Sequence, residues 1–294
     1  MPDPDRVAER FEAHRAHLHA VAYRMLGSTA EAEDAVQDAW LRLDRIDADG
    51  VDNLGGWLTT VVARLCLDRL RARASRREES LELRLPDPVV AFDDDGDPER
   101  EAILADTVGL ALLVVLDTLT PAERLAFVLH DTFGLPFEEI GRILERTPTA
   151  ARQLASRARR RVRGARAAPS APGRQRELVD AFLSAAREGD FAALVRVLDP
   201  EAVVRAETDE RAAEFGRSRV IRGADAVARE ALGFGRLAPG ARHATVNGTP
   251  GLVVFAGNAP FAVLSFTVNG DHIAEIDILA APERLRGLGL GPRA

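Results

Sequence analysis

From about residue 6 to 74 the apolar positions recur at steps of three and four, the period of a helix with one buried face. In "STAEAEDAVQDAWLRL" that face is Ala32, Ala35, Val36, Ala39 and Leu43. Ser28 and Glu31, three apart, form a capping box that sets the helix start. Glu31, Glu33, Asp34 and Asp38 are left mostly outward. After a Gly-containing break, "NLGGWLTTVVARLCLDRLRARASRR" repeats the helical period and ends in Arg69, Arg71, Arg73, Arg76 and Arg77.

The pattern lapses over 78–101. "RLPDPVVAFDDDGDPERE" holds three Pro, one Gly and seven acids against two Arg, which predicts an extended acidic linker rather than a packed element. Helices resume at about 101–117, and Thr120, Pro121 and Glu123 combine an N-cap, a first-turn proline and a capping-box partner. "FGLPFEEIGRILERTPTAARQLASRARRRV" then predicts helix, tight turn, helix. Phe137, Ile140 and Leu144 share a face of the first. Thr147 and Pro148 open the second, whose buried stripe is Ala151, Leu154, Ala155, Ala158 and Val162. Thr149, Arg152, Gln153, Ser156, Arg157 and Arg160 face outward.

"AAPSAPGRQ", 167–175, is a second linker. Beyond it two helices, about 176–188 and 190–198, lead to short apolar or alternating runs such as "AVVRAE", "HATVNG", "GLVVFAG", "FAVLSFTV" and "HIAEIDIL". Turn signals "GTPG", "GNAP" and "VNGD" break them, so an α+β domain of about 110 residues is predicted.

Charge sharpens this division. The 294-residue chain carries a net charge of -7, yet residues 146–176 hold ten Arg and no acid. The C-terminal part is near neutral, with 14 Arg against 16 acids over 175–294, so the basic surface is confined to the helical part. A helix fits the DNA major groove, and a short helix and turn before it is the usual support. Arg152 and Gln153 have side chains suited to base edges, whereas Arg157, Arg159, Arg160, Arg161 and Arg163 suit phosphates. The single cysteine, Cys66, reads as a small buried hydrophobe and excludes an internal disulfide. Six scattered His offer no metal-binding spacing, and no cofactor is expected. A charged N-terminus and the lack of long apolar runs predict a cytoplasmic protein without membrane contact.

"AYRMLGSTAEAEDAVQDAWLRL", "GWLTTVVARLCLDRLRAR" and "LTPAERLAFVLHDTFGLPFEEIGRILERTPTAARQLASRARRRV" together resemble bacterial RNA polymerase sigma factors of the extracytoplasmic-function type. The first two are similar to the family's region 2 and the third to its region 4. The resemblance implies a multidomain fold: two all-α sigma domains, a region 2 bundle at 6–77 and a region 4 helix-turn-helix at 102–166, before the α+β domain at 176–285. It implies core RNA polymerase and promoter DNA as partners of a protein that is monomeric when free. Glu31, Asp34, Gln37, Asp38 and Leu41 would dock on the polymerase. Asn53, Trp57, Arg69, Arg71 and Arg73 would hold the -10 element, although Trp57 reads equally as a core residue. Thr149, Arg152, Gln153, Ser156, Arg157 and Arg160 would read the -35 element. The acidic linker would thread the polymerase channels, or serve as an inert tether.

The extra C-terminal domain resembles a SnoaL-like domain of the NTF2-like fold, a cone with a pocket, as in the SigJ-type subgroup, where it is implied to regulate in cis. Leu85, Pro86, Asp87 and Pro88 in "RLPDP", and Pro282, Glu283, Arg284 and Leu285 in "APERL", match two motifs of that subgroup. Its Gly-rich motif is missing; "ETDERAAEF" stands there with only Asp209 as a plausible counterpart. Some SnoaL-like domains are cyclases or isomerases using Asp/His pairs, for which His243, His272, Asp209, Asp271 and Asp277 are available, scattered. A small ligand held without chemistry is the stronger expectation, so the chain is expected not to be an enzyme. The other reading is a ligand-responsive DNA-binding regulator that needs no polymerase.

Overall fold

The computed structural model describes residues 4–45, 51–77, 84–92, 110–165, 172–208, 218–235 and 238–290. The remainder of the acidic linker, most of 167–175 and Asp209 lie outside the described residues. The chain divides into two compact units, Met1–Leu81 with Leu113–Ala165, and Glu82–Leu112 with Arg166–Ala294.

In the first unit, α1 (Pro4–Leu26), α2 (Thr29–Leu43) and α3 (Leu54–Arg77) pack together. Their buried faces are those of the sequence period: Leu18, Val21 and Met25 on α1, Ala32, Ala35, Val36, Ala39 and Leu43 on α2, Leu58, Val62 and Cys66 on α3. Ser28 accepts from the Glu31 amide at the start of α2, but the Glu31 side chain turns to Arg73 instead of the Ser28 amide, so only half of the expected capping box forms. Helix α4 (Leu110–Asp117) straddles the division. Helix α5 (Pro121–Phe127) opens with the complete Thr120–Glu123 capping box and widens into a π-helical turn, Val128–Thr132. Then come α6 (Phe137–Leu144) and α7 (Pro148–Ala165). Helix α5, its π-helical turn and α6 pack on α1 and α3, so both helical modules share one unit.

Arg124 fixes that seam. It is 2% exposed and donates from Nε and Nη2 to the Arg24 carbonyl at 3.2 and 3.1 Å, while Nη1 pairs with Asp117. Arg24 in turn lies over the Phe133 ring.

The second unit is a seven-stranded mixed sheet in the order β1-β4-β5-β6-β7-β2-β3. Its strands are β1 (Val90–Ala91), β2 (Leu198–Thr208), β3 (Arg219–Arg222), β4 (Ala241–Val246), β5 (Thr249–Ala256), β6 (Ala259–Asn269) and β7 (His272–Ala280). Among the described residues only β2 and β7 pair in parallel. Asn247 and Gly248, both at positive φ, make the β4–β5 hairpin turn that an Asn-Gly pair favours. Helices α8 (Pro172–Glu188), α9 (Phe191–Val197) and α10 (Ala224–Gly233) cover one face, where Val179, Leu194, Val227 and Phe266 share a core. The other face is covered by residues 84–92 and by α11 (Pro282–Gly287), around Val90, Val246, Val253, Leu279 and Leu285.

Two linker expectations are corrected. Residues 84–92 are packed: Leu85, Pro86, Asp87 and Pro88 are buried, and Val90 and Ala91 pair with β4 at Val246 and Thr245. Local composition signalled a solvated tether because the partners of this stretch lie far along the chain. Helix α8 also starts at Pro172, inside the expected linker, since Gln175 is buried and donates to the Phe266 carbonyl at 2.9 Å.

Candidate nucleic-acid interface

The turn between α6 and α7 is built by three residues. Glu145 closes α6 in the left-handed conformation, φ 55°. A Cβ on Gly141 would come within 2.7 Å of the Arg146 carbonyl oxygen, so only glycine lets the turn fold back this closely. Thr147 Oγ1 accepts from the Ala150 amide at 3.2 Å and caps α7. Ala151, Leu154, Ala155, Ala158 and Val162 are buried beneath the helix, and Thr149, Arg152, Gln153, Ser156, Arg157 and Arg160 lie in the open.

The exposed arginines are not equivalent. The Arg152 guanidinium lies 5.2 Å from the Phe137 ring centroid, and the His130 ring stacks on that phenylalanine at 3.9 Å. This three-layer stack holds Arg152 near the first turn of α7. Arg157 and Arg161 both pair with Glu123, at 3.1 and 2.7 Å, and Arg159 pairs with Asp131 at 2.6 Å. Burial would raise the Glu123 carboxyl, but the Thr120 amide and hydroxyl, Arg157 and Arg161 outweigh it and hold its pKa below the usual carboxylate value. Residues 146–176 hold no acid; the fold supplies two from α5 and its π-helical turn. Among the described residues Arg160 and Arg163 have no acidic partner, which leaves them freest to meet phosphate.

In the first module, Asp34, Gln37 and Leu41 are exposed at helical spacing along α2, with Leu41 47% accessible. Glu31 and Asp38 are turned toward α3 instead. Arg69 bonds Asp38 at 2.8 Å and the Glu31 carbonyl at 2.7 Å; Arg73 pairs with Glu31 and bonds the Leu26 carbonyl at 2.9 Å. Four side chains expected at two separate surfaces thus tie α2 to α3. The reason is i,i+4 spacing on α3, which sets both arginines against the same helix. Arg71 stays exposed beside Asp68. Asn53 Oδ1 accepts from the Gly56 amide at 2.9 Å, capping α3, and Trp57 is half-buried on the first turn. Burial pushes the Cys66 thiol up to about 12, leaving it inert at neutral pH.

In the second unit the two sequence motifs meet. Arg284 bonds Asp87 at 2.9 Å, both Glu207 oxygens at 2.6 Å and the Leu85 carbonyl at 2.7 Å. Glu207 also accepts from the Leu85 amide. Asn247 completes the seam, accepting from the Val89 amide and donating its own amide to the Val89 carbonyl, both at 2.8 Å. Burial opposes the charge on Arg284, yet Asp87 and Glu207 raise its pKa above the ordinary value. Pro282 and Leu285 shape the short α11 that carries Arg284, whereas Glu283 points outward to Arg286. Glu207 and Asn247 were not anticipated; the Asn-Gly turn signal marked the hairpin but not its partner.

Among the described residues, three of the acid and histidine candidates are held by separate partners. His243 pairs with Asp180 at 3.2 Å, Asp271 with Arg174 at 2.9 Å, and Asp277 with Arg205 at 3.1 Å. Asp277 is 1% exposed, and burial raises its pKa to about 6 despite Arg205. Because the folded pKa exceeds the unfolded value near 4, the folded state holds the proton more tightly and loses stability as pH rises through roughly 4 to 6. Relative to Asp277→Asn, the natural protein should therefore gain stability as pH falls over this window. Urea unfolding of both proteins at pH 4.5 and 7 checks this; a constant difference would contradict it.

No described helix is long and apolar enough to cross a membrane. The models of Sigma-70 region 2 and Sigma-70 region 4 match residues 10–76 and 109–162. The chain is 39% identical over 298 residues to the extracytoplasmic-function RNA polymerase sigma factor SigJ of Mycobacterium tuberculosis, covering 96% of this chain and 94% of the relative. It is 36% identical to the probable sigma factor SigI of that organism, covering 97% of each. The crystal structure of Mycobacterium tuberculosis SigJ superposes with a TM-score of 0.77 at 34% identity, covering 96% of this chain and 99% of that one. Helical region 2 and region 4 modules followed by a mixed-sheet domain are thus common to both, and the chain belongs to the extracytoplasmic-function sigma factors of RNA polymerase.

Proposed function

We propose that this sigma factor reads the promoter -10 element with region 2 and the -35 element with α7, and that its C-terminal domain regulates it in cis through residues 84–91. The observation that carries the -35 reading is the exposed row from Thr149 to Arg160, backed by the Phe137 stack and the Glu123 ion pairs. Preorganised side chains lose little entropy on binding. On α2, Asp34, Gln37 and Leu41 form the surface offered to core polymerase. The -10 role rests on Asn53, Trp57 and Arg71, since Arg69 and Arg73 are engaged with α2. The C-terminal regulatory reading is supported by the Arg284 seam, which ties the segment between the two sigma regions to the sheet. A small molecule in the C-terminal domain is the input such an arrangement would serve.

Run-off transcription with core polymerase tests the whole reading. Full-length protein should start at a cognate promoter, and a chain ending near residue 175 should differ in activity; equal activity would remove the regulatory role. Replacing Arg152 by alanine should cost about 1 to 3 kcal/mol in holoenzyme binding and relax preference within the -35 element. Arg160→Ala should weaken binding evenly across promoter sequences. Competition binding against a set of -35 variants separates these, and identical profiles would contradict the division of α7.

A further inference from the structure

The sheet domain holds a partly open apolar cavity of about 90 Å³ between α8, α10 and the face of the sheet. Its walls include Phe182, Val204, Leu252, Phe261 and Ile276, and its polar side chains are Thr208, Arg219 and Glu230. Arg219 and Glu230 are paired with each other, so the site offers almost no net charge. None of His243, His272, Asp271 or Asp277 lines it.

What keeps the cavity open is its alanines. Ala186 on α8, Ala206 on β2, Ala231 on α10, Ala241 on β4, Ala262 on β6 and Ala280 on β7 all face it. Six elements each contribute a side chain that a larger aliphatic residue would extend into the space. The opposite face of the sheet is filled in that way, by valines and leucines. Protein interiors are close-packed, and an unfilled apolar volume weakens a fold. Space of this kind, in apolar surroundings without a hydrated polar set, suits a hydrophobic guest rather than water.

We propose that this cavity is a binding site for a small uncharged apolar molecule, a single aromatic ring or a medium-length alkyl chain with at most one hydroxyl or carbonyl. A carboxylate would meet the like charge of Glu230 on the cavity wall. No histidine lines the cavity and the Glu230 carboxylate is held by Arg219, so the molecule is held and not transformed. The inference deepens the regulatory reading and rests on it only for its biological use, because binding is measured without polymerase or promoter.

The test is isothermal titration calorimetry of the full chain with 1-octanol and, separately, with octanoate. One 1-octanol per chain should bind, with octanoate at least tenfold weaker. Ala231→Phe, at a half-buried wall position, should weaken 1-octanol at least tenfold while the far-ultraviolet circular dichroism stays that of the natural protein. Ala262→Leu provides the same occlusion from the sheet if the first variant does not fold. No binding of 1-octanol, or binding unchanged in a folded variant, overturns the site; octanoate binding as well as the alcohol overturns the ligand class. A change in transcription on truncation without 1-octanol binding would leave the regulatory role standing and remove only this site.

Discussion

Arg284→Ala is expected to destabilise the sheet domain by about 3 to 5 kcal/mol, the usual cost of removing one partner from a buried ion pair. Arg284, Asp87 and Glu207 are 17%, 13% and 11% exposed, so neither carboxylate can recover its hydration without movement. The strain is relieved most readily if residues 84–91 leave the sheet, because without Arg284 their backbone is held by a two-residue strand, the two Asn247 bonds and the bond from the Leu85 amide to Glu207. Hydrogen exchange should accordingly speed up at the Leu85 and Val89 amides well beyond any change in the β5–β6 pair. Arg284→Lys should fall between, keeping the charge but losing the forked geometry that reaches Asp87, Glu207 and the Leu85 carbonyl together. Under the regulatory reading the same variant should alter run-off transcription in the direction that truncation near 175 does. An unchanged melting curve with unchanged exchange at Leu85 would show that the seam contributes nothing.

The second large effect is expected at Arg124. Substitution by methionine keeps most of the volume but removes the Asp117 ion pair and both bonds to the Arg24 carbonyl, again at about 3 to 5 kcal/mol. The loss falls on the seam between region 2 and region 4, and its meaning comes from DNA geometry. Elements named -10 and -35 lie about 25 base pairs apart, roughly 85 Å along B-form DNA at 3.4 Å per base pair. Under the proposed reading of both elements, modules packed directly on each other cannot span them at once, so the seam is expected to open before the promoter is bound. Arg124→Met should lower the denaturant midpoint of the helical unit and let holoenzyme form at lower core-polymerase concentration. A lower midpoint with no gain in assembly would mean that the seam is structural and does not gate promoter reading.

Much of the helical part was readable because its signals are local. Caps at Ser28, Thr120 and Thr147 fix helix starts within a few residues, and the stripes on α2 and α7 are the buried residues observed. What sequence could not supply was charge pairing at a distance. The Arg-rich helix looks uncompensated until Glu123 and Asp131, 34 and 28 residues before their partners, fold beneath it. Glu31 and Asp38 look outward until Arg69 and Arg73 arrive from α3, 42 and 31 residues on. The π-helical turn that brings His130 onto Phe137 departs from the very period used to read helices. Residues 84–91 were misread for the same reason, since Asn247 stands 158 positions from Val89 and no local pattern links them.

Strand β2 carries a constraint of its own. Val204, Ala206 and Thr208 point to the cavity, while Arg205 and Glu207 point to the opposite face and reach Asp277 and Arg284. Consecutive residues thus serve alternate sides, and deleting a single residue ahead of Ala206 would carry Glu207 into the apolar space and Ala206 into the seam. Substitution can tune either side alone. Length change cannot, so natural variation along this strand should be confined to exchanges of side chain, with insertions and deletions pushed out to its ends.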